Sequence, residues 1–321
     1  MLTNDKESWP DVHVANWAGT KRSLHLYAQM LGKIRLALSP PQPNWMFTAL
    51  YLSPRGITTG FIPYGLGSVE ATLDVFDSRI TIAQSSGERS FVDLLPVRTV
   101  AEIYEALSAT LRRLNVACHI TAIPQEVPDT TPLDRDRRAS EYDPQAVLRW
   151  FRAATATAAI FERWRTCFFG RTGIALWWGA FDIALLLFSG RRVMPPSDRG
   201  YLMKYDLDAE LMNAGLYFGD AQTAPFFYGY ISPPPAGVET LAIRPAPAAW
   251  SPKLGEWVLP YDAVRATNDP AASIREFIDS IYQTCFTAAG WNRAAHAYEV
   301  PKRVSDTAPA ASQSSSSDRL R

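Results

Sequence analysis

Between residues 20 and 38 the apolar positions Leu24, Tyr27, Leu31, Ile34 and Leu38 recur three or four apart, the period of one buried helix face. Ser39, Pro40 and Pro41 end that helix, because proline lacks a backbone donor and clashes with the preceding turn. A second face carries His25, Gln29 and Lys33 at i, i+4 and i+8, a polar row of the kind that usually faces solvent. The pattern then changes to short β-prone runs at residues 47–52, 57–62, 69–76, 79–84 and 89–94, separated by the turn signals SPRG, PYGLG, FDS and SSGE. In the third run Glu70, Thr72 and Asp74 alternate with Ala71, Leu73 and Val75, as in an antiparallel strand with one wet face. Helical spacing returns over residues 99–115, opened by Thr99 and Glu102 in capping-box positions, and a strand is predicted over 117–123.

Residues 124–143, PQEVPDTTPLDRDRRASEYD, carry charge and proline without apolar period and read as a connection between two domains. Asp143 and Pro144 then start a long helix, predicted over 144–169. The most apolar stretch follows, GRTGIALWWGAFDIALLLFSGRR at residues 170–192. Its uncharged core is shorter than the roughly 17 to 25 residues that span a bilayer, and Asp182 interrupts it, so two buried strands meeting near Gly179 fit better than a membrane helix. A carboxylate in that setting must find a partner or take up a proton; Arg171, Arg191 and Arg192 flank it and are the expected partners. Residues 193–224 read mostly as loop with a short helix. Strands are predicted at 225–231 and 256–259, a last helix at 270–289, and a polar, low-complexity tail, read as disordered, at 299–321.

The fold class is therefore α+β, with an N-terminal unit at 1–123, a linker at 124–143 and a C-terminal unit at 144–298. Each unit reads helix, antiparallel strands, helix. A duplication follows as the expectation, with Arg55 and Arg191 in related places and a cleft between the halves.

Composition narrows the chemistry. The 321 residues hold 32 basic and 32 acidic side chains, so bulk charge points to neither nucleic acid nor an anionic membrane. Cys118, Cys167 and Cys285 are widely spaced, which excludes a CxxC site and a disulfide framework. The opening residues have no apolar signal core, and a cytoplasmic protein is the expectation. The four histidines lack metal-ligand spacing and no nucleotide, zinc or hydrolase motif occurs, so neither metal nor cofactor is expected.

What remains is a set of basic and aromatic groups near element ends. The leading reading is a small anionic ligand held by Gln29, Arg35, Arg55, Trp177, Trp178, Arg191, Tyr261 and Arg265, because arginine grips carboxylate or phosphate bidentately. An alternative is an enzyme with Asp182 and either His25 or Lys33 as acid and base. A third is an interaction scaffold built on exposed tryptophans.

The segments WAGTKRSLHLYAQMLGKIRLAL, WWGAFDIALLLFSGRR, PFFYGYISPPPAG and GEWVLPYDAVR together resemble an uncharacterised bacterial family of unknown function, over about residues 9–295. The resemblance implies a shared architecture and no assigned activity. It also implies histidine at two places where this chain has Leu176 and, within Asn213-Ala214-Gly215, Ala214.

Overall fold

The computed structural model describes residues 9–195 and 200–298; the predicted tail at 299–321 lies outside them. Helix α1 (Ala18–Leu38) buries Leu24, Tyr27, Leu31 and Ile34, as its spacing predicts. Two members of its polar row are buried as well, Gln29 at 0% and Lys33 at 2% exposure, and His25 is half-buried, which corrects the solvated-face expectation. The reason is position, since α1 runs through the middle of the molecule and is covered on several sides.

The first sheet is antiparallel and built from β1 (Tyr51–Ser53), β2 (Gly56–Thr58), β3 (Ile62–Tyr64), β4 (Gly67–Asp74), β5 (Arg79–Gln84) and β6 (Arg89–Asp93). Its order is β1-β2-β4-β5-β6, with β3 also paired to β4. Helix α2 (Val100–Arg113) covers it with Val100, Ile103, Leu107 and Leu111, and the Thr99–Glu102 capping box is formed. Three predicted strands differ. The 57–62 run is broken, since β2 ends at Thr58 and β3 begins at Ile62. The start of the 47–52 run belongs to a 3-10 segment, Pro43–Thr48, in which Asn44 and Trp45 take positive φ. Residues 117–123 form no strand, because side chains rather than a ladder satisfy them: Tyr104 donates to the Ile120 carbonyl and Lys33 to that of Ile123.

Helix α3 (Pro144–Trp164) begins as expected, with Asp143 accepting from the Gln145 amide. The second sheet comprises β7 (Ala175–Trp177), β8 (Asp182–Arg192), β9 (Ala209–Tyr217), β10 (Phe226–Ser232), β11 (Ala249–Ser251) and β12 (Glu256–Pro260), in the order β11-β12-β10-β9-β8-β7. Helix α4 (Tyr201–Asp206) precedes β9, and α5 (Tyr261–Arg265), α6 (Pro270–Thr287) and α7 (Arg293–His296) follow the sheet. Strand β9 falls where a loop was expected. It lies at the centre of the sheet and is buried on both faces, so its sequence AELMNAGLY shows no alternation.

The sheets meet edge to edge, where Leu50 and Leu176 exchange both backbone hydrogen bonds at 3.0 and 2.8 Å. Helix, six strands and helix occur in both halves, but the strand orders are not the same. One buried cluster includes Tyr27, Leu50, Trp150 and Leu176 from either half. Residues 124–143 carry no regular element, yet Leu133 and Asp136 within them are buried. The Asp136 carboxylate is held by Arg22 and Arg138. Among the described residues no helix is long and apolar enough to cross a membrane.

Asp136→Ala should leave two guanidinium groups facing an emptied pocket and cost about 2–4 kcal/mol. A urea melt checks this: the midpoint should fall with the slope unchanged.

Candidate functional site

The second sheet has two unlike faces. Ile183 and Leu185 of β8, Leu216 of β9, Phe227 of β10 and Trp257 of β12 are buried in the core, and Gly229 lets Ile281 of α6 pack directly on the backbone. Residues of opposite parity form the floor of a cleft of about 1000 Å³. Cross-strand register orders that floor into rows. Asp182, Tyr217 and Phe226 make the first, Ala184, Gly215 and Tyr228 the second, and Leu186, Asn213 and Tyr230 the third. Glu256 of β12 lies beyond Tyr230, next in line from the Trp257–Gly229 pair. The walls are Trp45, Trp177, Trp178, Glu126 and Asp206.

Gly215 determines what the floor can do. A Cβ there would overlap the Tyr228 ring, so the absence of a side chain lets that ring lie across β9. Tyr228 thereby reaches from β10 to β8 and donates a short hydrogen bond to Asp182 Oδ2. This phenol, rather than a flanking arginine, is the partner of Asp182. Arg171 caps the Phe168 carbonyl, Arg191 pairs with Glu210, and Arg192 pairs with Asp208.

The polar row of α1 holds the wall. His25 Nε2 lies 2.8 Å from the Trp178 carbonyl and 3.0 Å from that of Gly179, so the neutral ring donates its N–H to the turn that precedes Asp182. Burial drives the His25 pKa down to about 4 and keeps that donor uncharged. Gln29 holds the Gln125 peptide by both its groups, at 2.7 and 2.9 Å. Lys33 donates to Thr121 Oγ1 and the Ile123 carbonyl and sits 5.6 Å from the Trp178 ring centre. Trp178 itself lies flat on Gly32, where any Cβ would overlap it, and donates to the Thr48 carbonyl at 2.9 Å. Glu126 packs on Gly179 and adopts φ 54°, while Phe181 adopts φ 61°. Left-handed backbone at such side chains costs of order 1 kcal/mol or more each and persists only where packing over-determines it.

The electrostatics of the cleft are those of uncompensated acid. Burial raises the Asp182 pKa to about 7, against the lowering effect of the Tyr228 hydrogen bond. Burial raises Glu256 to about 7, with the Asp182 charge adding to it, and Asp206 to about 6, with Glu126 adding to it. Glu126 is raised by burial too. Among the described residues Glu126, Asp206 and Glu256 have no ion-pair or hydrogen-bond partner for their carboxyl groups. Asp220, which also lines the cleft, differs: amides of Gln222 and Thr223 hold it, and its pKa is lowered despite burial. Lys253 is the basic residue of the lining and forms no ion pair among the described residues.

Of the residues singled out from sequence, Trp177, Trp178 and Asp182 line the cleft, and His25, Gln29 and Lys33 brace it from behind. The others lie elsewhere. Arg35 is committed to the Thr59 carbonyl and to Tyr51. Arg55 is held by Asp74 and Asp77, and Arg191 by Glu210 in a two-point contact. Tyr261 donates to the Pro10 carbonyl, and Arg265 binds the Trp9 carbonyl and Asp262. These arginines anchor backbone or neutralise acids, and among the described residues no arginine lines the cleft. His25 Nε2 and two of the three Lys33 N–H groups are engaged by backbone carbonyls and a threonine hydroxyl, whereas Asp182 is paired with Tyr228. Leu176 and Ala214, the places where histidine was implied, are buried in the core on the opposite face. Tyr228 and Tyr230 were legible as alternation in PFFYGYI, whereas Glu126 and Asp206 had no local signal.

The folded protein holds the Asp182 proton up to about pH 7, and the unfolded chain releases it near pH 4, so folding binds a proton between those values. Stability due to this group is therefore full below pH 4 and falls as pH rises to about 8. Tyr228, Glu126, Glu256 and Tyr217 all face or sense it, and none supplies positive charge. His25, lowered to about 4, acts with the opposite sign between its folded and unfolded values, so the comparison must be differential. Urea melts of wild type and Asp182→Asn from pH 4 to pH 8 should show the variant gaining up to about 4 kcal/mol relative to wild type. Parallel profiles would contradict the assignment. Gly215→Ala should displace Tyr228, cost about 1–3 kcal/mol by overpacking, and move the Asp182 titration upward in the same assay.

No curated protein and no solved structure matches the chain. A family model does, over residues 9–298, which includes both sheets, the helices and the whole cleft. The chain therefore belongs to the family of unknown function DUF5996.

Proposed function

We propose that the protein binds a small organic cation, an amine or guanidinium with an apolar body, in the cleft of the second sheet. The observation that supports this most directly is the group of four raised carboxyls, Glu126, Asp182, Asp206 and Glu256, with no basic partner among the described residues, facing three tryptophans. A carboxylate taken out of water regains the lost solvation when a cation meets it, and tryptophan faces attract cations through their quadrupole by about 0.5–2 kcal/mol. An anion would meet repulsion from the same acids, so the expected arginine-held anion gives way to a ligand of opposite charge. The enzyme alternative has less support, because His25 Nε2 and Lys33 bond to backbone carbonyls and Thr121 while Asp182 bonds to Tyr228. The scaffold alternative needs exposed tryptophans, yet none of the ten is exposed: seven are buried, and Trp45, Trp177 and Trp250 are half-buried.

Binding a cation favours the ionised carboxyls, so affinity should rise with pH through the range in which Asp206, Asp182 and Glu256 lose their protons. Thermal-shift titrations with alkylamines, alkylguanidines and alkylcarboxylates at pH 6 and pH 8 provide the test. Amines or guanidines should stabilise the protein, about 3- to 10-fold more tightly at pH 8. The double variant Asp182→Asn, Glu256→Gln should lose at least tenfold in affinity. Stabilisation by carboxylates alone would overturn the proposal.

A further inference from the structure

The acids of the cleft are distributed along it rather than gathered at one point. Asp182 belongs to the first row of the floor, beside the Gly179 turn on which Glu126 packs, whereas Glu256 lies beyond Tyr230 of the third row. The first and third rows are four residues apart on each strand, about 13 Å of strand rise, and β8 and β12 lie three strand spacings apart, about 14 Å across the sheet. Among the described residues no three His, Cys, Asp or Glu side chains come close enough to hold a metal ion, so the acids do not converge on one small charge. Between the two ends the floor is Ala184, Gly215, the Tyr228 ring and Leu186, which offers nothing to a charged group except the phenol already bound to Asp182.

A second observation marks the far end independently of the acids. Asn213 is only 7% exposed and stands on the cleft face of β9, in register with Tyr230. Its Nδ2 donates to the Tyr230 hydroxyl at 3.1 Å, and its Oδ1 has no hydrogen-bond partner among the described residues. A buried acceptor without a donor costs of order 1–3 kcal/mol, and an N–H from a ligand would satisfy it.

We infer that the cleft takes a linear di- or polyamine, with one ammonium group at Asp182 and Glu126, a second at Glu256 and Asn213 Oδ1, and the methylene chain lying over the Tyr228 ring. This rests on the cation reading above and adds the number of charges and their spacing. A monoamine satisfies one end and leaves the other carboxyl and the Asn213 oxygen unpaired. Because the acid side chains reach inward from the strands, the spacing that fits is roughly 6–12 Å between nitrogens, an alkyl chain of about four to eight carbons.

Calorimetric titration at pH 7.5 with n-hexylamine, 1,6-diaminohexane and 1,3-diaminopropane tests it on the full chain. The six-carbon diamine should bind at least tenfold more tightly than hexylamine and than the three-carbon diamine. Glu256→Gln, a change of nearly equal volume at a half-buried position, should bring the ratio of diaminohexane to hexylamine affinity close to one, and Asn213→Ala should reduce it about threefold or more. Hexylamine and diaminohexane binding equally well would overturn the two-centre inference and leave the cation reading standing, as would a diamine advantage that survives Glu256→Gln. If none of the three amines binds, the inference falls, and the cation reading falls with it once the alkylguanidines also fail to stabilise the protein.

Discussion

A carboxyl group buried among apolar side chains, with one phenol as its partner, is the constraint on which the cleft depends. Asp182 sits at the start of β8, between the glycine turn and the core, where an ionised carboxylate would lack the solvation it has in water. The fold answers in part, through Tyr228, and that answer requires a bare backbone at Gly215. The hydrogen bond is too small a compensation to bring the pKa back to that of a free aspartate, and no cation is supplied. The remaining electrostatic deficit is what makes the cleft selective for positive charge.

Helix α1 turns that deficit into a fixed geometry. A polar row at i, i+4 and i+8 commonly faces water, but here the helix is central and each group of the row takes backbone groups from one of two segments, 123–125 or 178–179. His25 holds the turn before Asp182, Gln29 the Gln125 peptide beside Glu126, and Lys33 the end of the 117–123 segment. Gly32 admits the Trp178 ring against the same helix. Two stretches of the cleft wall, residues 121–126 and the turn at 178–179, are thus tied to one rigid element, which is how left-handed backbone at Glu126 and Phe181 can be sustained.

Much of the scaffold was legible in the sequence because local rules decided it. The buried face of α1, the Thr99–Glu102 box, the Asp143 cap and the β5 run at 79–84 follow from spacing and capping chemistry alone. The β7–β8 hairpin and the importance of Asp182 were visible for the same reason, as an acid in an apolar run. Strand β9 was hidden, because burial on both faces removes alternation, and Asn213 and Gly215 lower β propensity. The partners of the arginines could not be read either. Asp74 for Arg55 and Glu210 for Arg191 are set by strand register, and sequence spacing could not separate an arginine free to bind an anion from one already neutralised. Glu126 comes from a proline-rich stretch whose path over the molecule is fixed by Gln29 and the Arg22–Asp136 contact, both long-range.

The most direct measurement is the titration of the side-chain carboxyls themselves, by carbon NMR of protein labelled at aspartate and glutamate. At least two carboxyls in the free protein should titrate near pH 7, should vanish from that range in Asp182→Asn, Glu256→Gln, and should move below pH 5 when an amine is bound. Carboxyls that all titrate between about pH 3 and pH 5 in the free protein would contradict it, because the cleft would then hold no charge deficit for a cation to fill.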